Sequence, residues 1–325
     1  MKKNIFINTG LFSTILFLLF IFLELFVRLF VDNGFNYELE MLKYSNKLKM
    51  IRSAKNKEEV LIHRPNSYEK LMKANVFTDE NGFRFNPQIK IKNKNKIKKI
   101  LMLGDSMTMG WGAENTFSDY LILKSNKRLS VLNSGVGNTN TIMQISSFFS
   151  FYKKVDADII ILNFFINDFE NINLKKSNFL LKNFYSLSFL KYRLYLLGIS
   201  FKKNSNYKSF YKETFKNIDI KNRTFQLIQE LNEYSIKNNK KFIVNFIPEL
   251  RNLENYEFED EYNFLKSFLK EKQIPFADAR LGLKNYYGME SHLWVSPEDT
   301  HGNDNFHKSV ANYLLKYLKN NNFIK

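Results

Sequence analysis

The stretch "KKILMLGDSMTMGWG", residues 98 to 112, decides the fold. Two lysines lead into an apolar run, Ile100 to Leu103, which breaks at Gly104-Asp105-Ser106. A short run that is apolar on both faces suits a strand covered by helices on both sides. The Gly-Asp-Ser that ends it has two readings. It is an ordinary polar turn between a strand and a helix, or it presents Ser106 as a nucleophile at the end of a sheet.

The same pattern returns along the chain. "LSVLNSG" (129–135), "ADIIILNFF" (157–165), "KKFIVNFIPE" (240–249) and the shorter "IPFADA" (274–279) are apolar runs closed by turns. Helical periods lie between them. In "NRTFQLIQELNEYSIKNN", Phe225, Leu227, Ile228, Leu231 and Tyr234 share one broad face, and "FHKSVANYLLKYLKNN" closes the chain. Strands alternating with helices predict an α/β fold, a three-layer doubly wound parallel sheet. There are no internal repeats. "FLLKNFYSLSFLKYRLYLLGISF" (179–201) interrupts the alternation. Lys182, Lys191 and Arg193 make it too charged for a membrane span. It reads as one or two domain helices, with a lid or a membrane-facing element as the sharper alternative.

Upstream, residues 5 to 23 carry no charge, and apolar character continues to Val31. Such a run can cross a hydrocarbon core of about 30 Å. No A-x-A-like cleavage site follows, so an uncleaved anchor is favoured over a signal peptide. Lys2 and Lys3 suggest an inside N-terminus and a catalytic domain on the extracytoplasmic, periplasmic side, although Arg28, Lys43 and Lys47 weaken the asymmetry. Glu24 and Arg28, at i and i+4, are placed to pair. The expected organisation is a single-pass transmembrane anchor over 1–32, a stalk and irregular lead-in over 33–90, and a catalytic domain over 91–325. Within the lead-in, "FTDENGFRFNP" (77–87) is a turn centred on Asn81-Gly82, and "KIKNKNKIKK" (90–99) reads as a solvated linker.

The 325 residues include no Cys, which excludes disulfides and thiolate metal sites. The formal net charge of +17 would suit an anionic partner. The lysines are dispersed, however, and Lys, Asn, Ile and Phe are all abundant, as an AT-rich genome would give. The charge is therefore read as compositional, with no nucleic-acid partner. His63, His292 and His307 have no ligand spacing with one another, so neither a metal nor another cofactor is expected.

Ligands of open α/β sheets bind beyond the C-terminal ends of the strands. Those ends deliver Asp105 and Ser106, then Asn133, Gly135, Gly137 and Asn138, then Asn167 and Asp168. "SPEDTHGNDNFH" (296–307) adds Glu298, Asp299 and His301 before the last helix. A serine, a histidine, a carboxylate and amide donors are the components of acyl transfer. The residues around Ser106 do not form Gly-x-Ser-x-Gly, which argues against an α/β-hydrolase elbow. No G-x-G-x-x-G follows the first strand, which argues against dinucleotide binding.

In order and spacing, "GDSMTMGWG", "LNSGVGNTNT", "FFINDF" and "SPEDTHGNDNFHKSVANYL" resemble the four blocks of the SGNH (GDSL-type) hydrolases. The resemblance covers residues 77 to 325. The segments "LELFVRL" and "NGFR" are similar to those of membrane-anchored bacterial members. The resemblance implies an SGNH, flavodoxin-like sheet with Ser106 as nucleophile and His301 as general base. The orienting carboxylate is Asp299, two residues before His301 as in the anchored relatives, or Glu298 at the commoner spacing of three. The oxyanion hole would use the backbone N–H of Ser106, that of Asn138 (or Gly137) and the side chain of Asn167. Asn138 stands where the family has Gly, and Phe165 and Ile166 replace a Gly of the third block. Asp105 and Asp168 would set local turns, and Phe164, Phe165, Trp111 and Trp294 would form an apolar wall. The implied function is a membrane-anchored serine esterase acting on carboxylic, O-acetyl-type esters. The alternatives are an O-acetyltransferase that serves a cell-surface carbohydrate through the same site, and an inactive binding protein on the same fold.

Overall fold

The computed structural model describes residues 2–90, 97–174, 178–201 and 207–325. The expected linker at 90–99 falls largely outside them. The chain opens with helix α1 (Lys2–Phe26), which continues through a π-helical turn at Val27–Val31. Thr9–Val31 is long and apolar enough to cross a membrane.

Residues 33–90 differ from the expected irregular lead-in. They hold α2 (Tyr37–Lys47) and the strands β1 (Lys49–Ser53), β2 (Glu59–His63), β3 (Tyr68–Leu71), β4 (Ala74–Thr78) and β5 (Arg84–Phe85). The reason lies in the turns. β3 and β4 pair in register from Tyr68↔Phe77 to Leu71↔Ala74, which leaves Met72 and Lys73 as a two-residue loop. Both have positive φ, 48° and 66°. Loops of that shape ordinarily carry Asn-Gly, so this hairpin has no sequence signature. The Asn81-Gly82 turn does have one, with Gly82 at φ 80° between β4 and β5.

The α/β alternation follows. β6 (Lys98–Leu103) runs into the short helix α3 (Ser106–Met109), then α4 (Phe117–Lys124), β7 (Leu129–Asn133), α5 (Thr141–Ser147) and β8 (Ile159–Phe165). Helices α6 (Phe179–Asn183) and α7 (Tyr185–Phe201) form the interruption. The alternation resumes with α8 (Tyr207–Phe215), α9 (Ile218–Lys237), β9 (Lys241–Ile247), α10 (Glu259–Glu271) and β10 (Phe276–Asp278). A small hairpin, β11 (Trp294–Ser296) and β12 (Asp299–Gly302), leads to α11 (Asp304–Asn320).

The main sheet has eight strands in the order β10-β9-β8-β6-β7-β5-β4-β3. The five expected strands are mutually parallel. Their spatial order β7-β6-β8-β9-β10 is the flavodoxin-like 2-1-3-4-5, with its switch point between β6 and β8. β5, β4 and β3 extend the sheet in antiparallel fashion, so it is mixed rather than purely parallel. Helices α4 and α11 pack on each other. α5 packs on α9, and α9 lies beside α10 through stacked Phe225 and Phe268 rings 4.1 Å apart. Right-handed crossovers put these two groups on opposite faces. Every residue of β8 is buried, as is β9 from Phe242 onward, which is why both read as continuous apolar runs.

The chain divides into two compact units. Met1–Asn46 with Lys175–Asn204 forms one, and Lys47–Leu174 with Ser205–Lys325 forms the other. The expected boundaries at 32 and 90 fall inside these units. The second includes the antiparallel strands because they share the main sheet.

Candidate active site

At the end of β6 the chain must turn sharply. Gly104 permits it: a Cβ there would meet Thr108 Oγ1 at 2.0 Å. Asp105 then caps α3, its Oδ1 accepting the Met107 N–H at 2.9 Å. Ser106 is therefore the first residue of a helix, and its N–H has no intrahelical acceptor. β12 carries His301 to the same place. His301 Nε2 lies 2.9 Å from Ser106 Oγ, and its Nδ1 lies 2.5 Å from Asp299 Oδ1. Asp299 also accepts the His301 backbone N–H at 3.1 Å and the Trp111 indole N–H at 2.9 Å. Asp299 is buried, whereas Glu298 is exposed.

The electrostatics follow from this packing. Burial acts to raise the Asp299 pKa, but the His301 charge and the three donors outweigh it and leave the carboxyl below its ordinary value. Burial acts to lower the His301 pKa, but Asp299 and then Asp105 outweigh it and leave it above the ordinary imidazole value. A serine hydroxyl hydrogen-bonded to such an imidazole can be deprotonated as it attacks a carbonyl. The imidazolium that results has a charged partner already in place.

The loop after β7 approaches the end of α3 closely. A Cβ at Gly135 would lie 2.4 Å from the Met109 backbone nitrogen. Asn133 donates to Thr108 O at 2.8 Å and accepts from Gly135 N–H at 3.0 Å, tying the loop to α3. Asn138, where the four-block resemblance leads one to expect glycine, takes the left-handed conformation, φ 62°. Asn tolerates this conformation better than most residues. Lys49 of β1, 6 % exposed, donates to Gly137 O at 3.4 Å, and burial lowers its pKa to about 8.

Asn167 lies in the 3₁₀ turn Ile166–Phe169 that follows β8. Asp168 closes this turn by accepting the Phe165 N–H at 2.8 Å, and Gln144 donates to its other oxygen at 2.9 Å. Burial, then the nearby Asp105 charge, holds the Asp168 carboxyl well above its ordinary range. Burial likewise raises Asp105, against which the Asn167 amide lies. Phe165 and Ile166 are both buried, and the Phe165 ring meets Tyr211 edge-on at 6.2 Å. His307 is buried too. Its Nδ1 accepts the Phe117 N–H at 3.2 Å, and burial lowers its pKa to about 3.

Several supporting roles were not expected from the sequence. Trp111, expected in an apolar wall, instead holds Asp299. Trp294 donates to Leu250 O at 2.9 Å. Arg84 of the "NGFR" segment is buried and donates to the carbonyls of Met109, Gly110 and Ala113, the turn that leaves α3. Asn245 donates to Asn163 at 2.9 Å, and Asn163 donates to Leu103 O at 3.2 Å, pinning the end of β6 from across the sheet. Their signal was an asparagine inside each of two apolar runs. Arg251, after β9, stacks over the Tyr207 ring at 4.2 Å and bears electrostatically on His301.

No protein-family model and no curated protein matches the chain. Solved structures do. A lipolytic protein of the G-D-S-L family from Desulfitobacterium hafniense DCB-2 is 17% identical, with 67% of this chain and 98% of that one covered and a TM-score of 0.42. A catalytic mutant of an acetylxylan esterase from Geobacillus stearothermophilus is 16% identical, with 68% and 95% covered and a TM-score of 0.44. A family two carbohydrate esterase from Clostridium thermocellum, in complex with cellohexaose, is 11% identical, with 71% and 66% covered and a TM-score of 0.43.

Proposed function

We propose that this protein is a membrane-anchored serine esterase of the SGNH type, acting on carboxylic esters of the O-acetyl class. The observation that carries the proposal is the continuous chain from Ser106 Oγ through both nitrogens of His301 to the buried Asp299. His301 Nε2 takes the Ser106 proton as Oγ attacks the ester carbonyl. The oxyanion forms beside the N–H groups of Ser106 and Asn138 and the Asn167 amide. Collapse returns the proton from His301 to the leaving alcohol and leaves the acyl group on Ser106. A water activated by the same imidazole then releases the acid. The four sequence blocks support these roles residue by residue.

The test is incubation of the full chain in detergent with acetyl esters, with and without oligosaccharide acceptors. Release of free acetate, lost in Ser106→Ala, supports hydrolysis. Acetylated oligosaccharide in place of acetate would move the assignment to acyl transfer, and no turnover of any ester would overturn the enzyme reading. The anchor has its own test in mass spectrometry of the mature N-terminus. A chain beginning near residue 30 would make the apolar helix a cleaved signal.

A further inference from the structure

The interruption of the α/β alternation shares a compact unit with the apolar N-terminal helix. Glu24, near the end of the apolar run, accepts from the Tyr185 N–H at 3.0 Å and from the Ser186 N–H at 2.9 Å. It also accepts from the Ser186 hydroxyl at 2.6 Å. It therefore caps α7 from a distance of 161 residues in sequence. Arg28 pairs with Glu24 at 2.6 Å, donates to Asn183 O at 3.1 Å and lies 4.1 Å over the Tyr185 ring. The Phe20 and Phe184 rings meet edge-on at 5.1 Å. A carboxylate at the end of an apolar span is costly unless paired. Here the distant segment satisfies it.

One side of α7 is covered within this unit, where Ser186 and Ser188 are buried. Another side is not. Leu190, Leu194 and Leu197, at i, i+4 and i+7, form a stripe exposed by 48 %, 59 % and 56 %. Lys191 and Arg193 flank the stripe, and residues 179–201 carry three cations and no acid. Seventeen residues at 1.5 Å each reach about 25 Å, short of the roughly 30 Å of a hydrocarbon core. A helix too short to cross, with cations beside an apolar stripe, can lay the stripe and the cations' aliphatic stems against acyl chains while the charged heads stay among headgroups.

We propose that α7 is an interfacial membrane helix, docked beside the anchor by the Glu24–Arg28 lock, with its leucine stripe in the acyl region of an anionic bilayer. This rests on the anchor reading above. The occupant is lipid because α7 packs on α1, whose own apolar side chains are likewise bare, and because the charges flanking the stripe complement anionic headgroups.

The chain has no native cysteine, so single cysteines can be spin-labelled without background. Full-length Leu190→Cys, Leu194→Cys, Leu197→Cys, Lys191→Cys and Phe17→Cys are reconstituted in phosphatidylcholine–phosphatidylglycerol vesicles. Each label's exposure to oxygen, which concentrates in lipid, is compared with its exposure to a water-soluble nickel chelate. The three leucine positions should favour oxygen, as Phe17 does, while Lys191 favours nickel. If the leucine positions favour nickel while Phe17 favours oxygen, the anchor stands and the interfacial helix is overturned. If Phe17 itself favours nickel, the anchor reading fails and takes this one with it.

Discussion

Asp299→Asn keeps the size of the side chain and removes its charge. The carboxylate serves three donors on two oxygens, His301 Nδ1 and N on one and Trp111 Nε1 on the other. An amide has one acceptor oxygen, so either the imidazole or the indole would face an NH₂ group. With Nδ1 and Oδ1 2.5 Å apart, the charge centres of imidazolium and carboxylate are about 4 Å apart. At an effective dielectric of about 20 their attraction is about 4 kcal/mol. Because the imidazolium forms as the serine attacks, losing this term should lower kcat/KM by about a thousandfold. The pH profile supplies a second readout. His301 must be neutral to act as base, and its pKa is held above the ordinary imidazole value. The acid limb of wild-type kcat/KM should therefore lie above about 6.5, and Asp299→Asn should move it to lower pH. Glu298→Gln, at an exposed position, should leave the rate within about twofold. The assay is p-nitrophenyl acetate hydrolysis by the full chain from about pH 5 to 9, the window of histidine titration. An Asp299→Asn enzyme that keeps a tenth of its activity with an unmoved limb would refute the reasoning, as would a Glu298→Gln enzyme equally impaired.

Three further outcomes follow from the same geometry. Ser106→Ala and His301→Ala should each bring esterase turnover to near background, and the double variant should be little worse, because the two groups act as one unit; a multiplicative double loss in the same assay would separate them. Asn167→Ala should lower kcat by about 10²–10³ with KM nearly unchanged, since the oxyanion exists only along the reaction path; a rise in KM at constant kcat would make Asn167 a substrate-binding group instead. Burial lowers the Lys49 pKa from 10.5 to about 8, so the folded chain sheds this proton before the unfolded chain does and gains about 3 kcal/mol of stability as pH rises between those values. Lys49→Met should lack that gain, and a difference in unfolding free energy between the two proteins that stays flat from neutral to strongly alkaline pH would count against it.

The parallel half of the sheet was open to sequence reading because it is simple in physical terms. A strand covered on both faces must be apolar at every position, and β6, β8 and β9 are nearly so. Their order in the chain, with helices between, then leaves few topologies. The antiparallel half hid for the opposite reason. β3 to β5 are short, only partly covered and joined by Met72-Lys73, where local conformation is imposed by strand pairing rather than by the residues' own preference. The break at 179–201 was visible as composition. Its partner, Glu24, lies far back in the chain, and no periodicity connects the two.

The site divides along a similar line. The groups proposed to react sit at strand ends and turns, where a polar residue after an apolar run stands out, and the expectations for Ser106, Asn138, Asn167 and His301 rested on such positions. The groups that hold them are polar side chains inside otherwise apolar segments, and each is explained only by a partner distant in sequence. Asn163 makes sense once β9 brings Asn245 to it and β6 offers the Leu103 carbonyl. Arg84 makes sense once the turn after α3 is seen to need donors. The carbonyls of Met109, Gly110 and Ala113 converge where water has little access, and one guanidinium fork meets all three. An unmet buried carbonyl costs about 1–3 kcal/mol, and a lysine, whose three donors share one nitrogen, lacks the rigid spread of the guanidinium fork that holds the turn. A shift there would reach Ser106 Oγ directly, since Gly110 and Trp111 both donate their N–H groups to the Ser106 carbonyl. The strand that the lead-in contributes to the sheet thus also fixes the base of the helix that begins at Ser106, which ties residues 74–85 to the proposed site as well as to the fold.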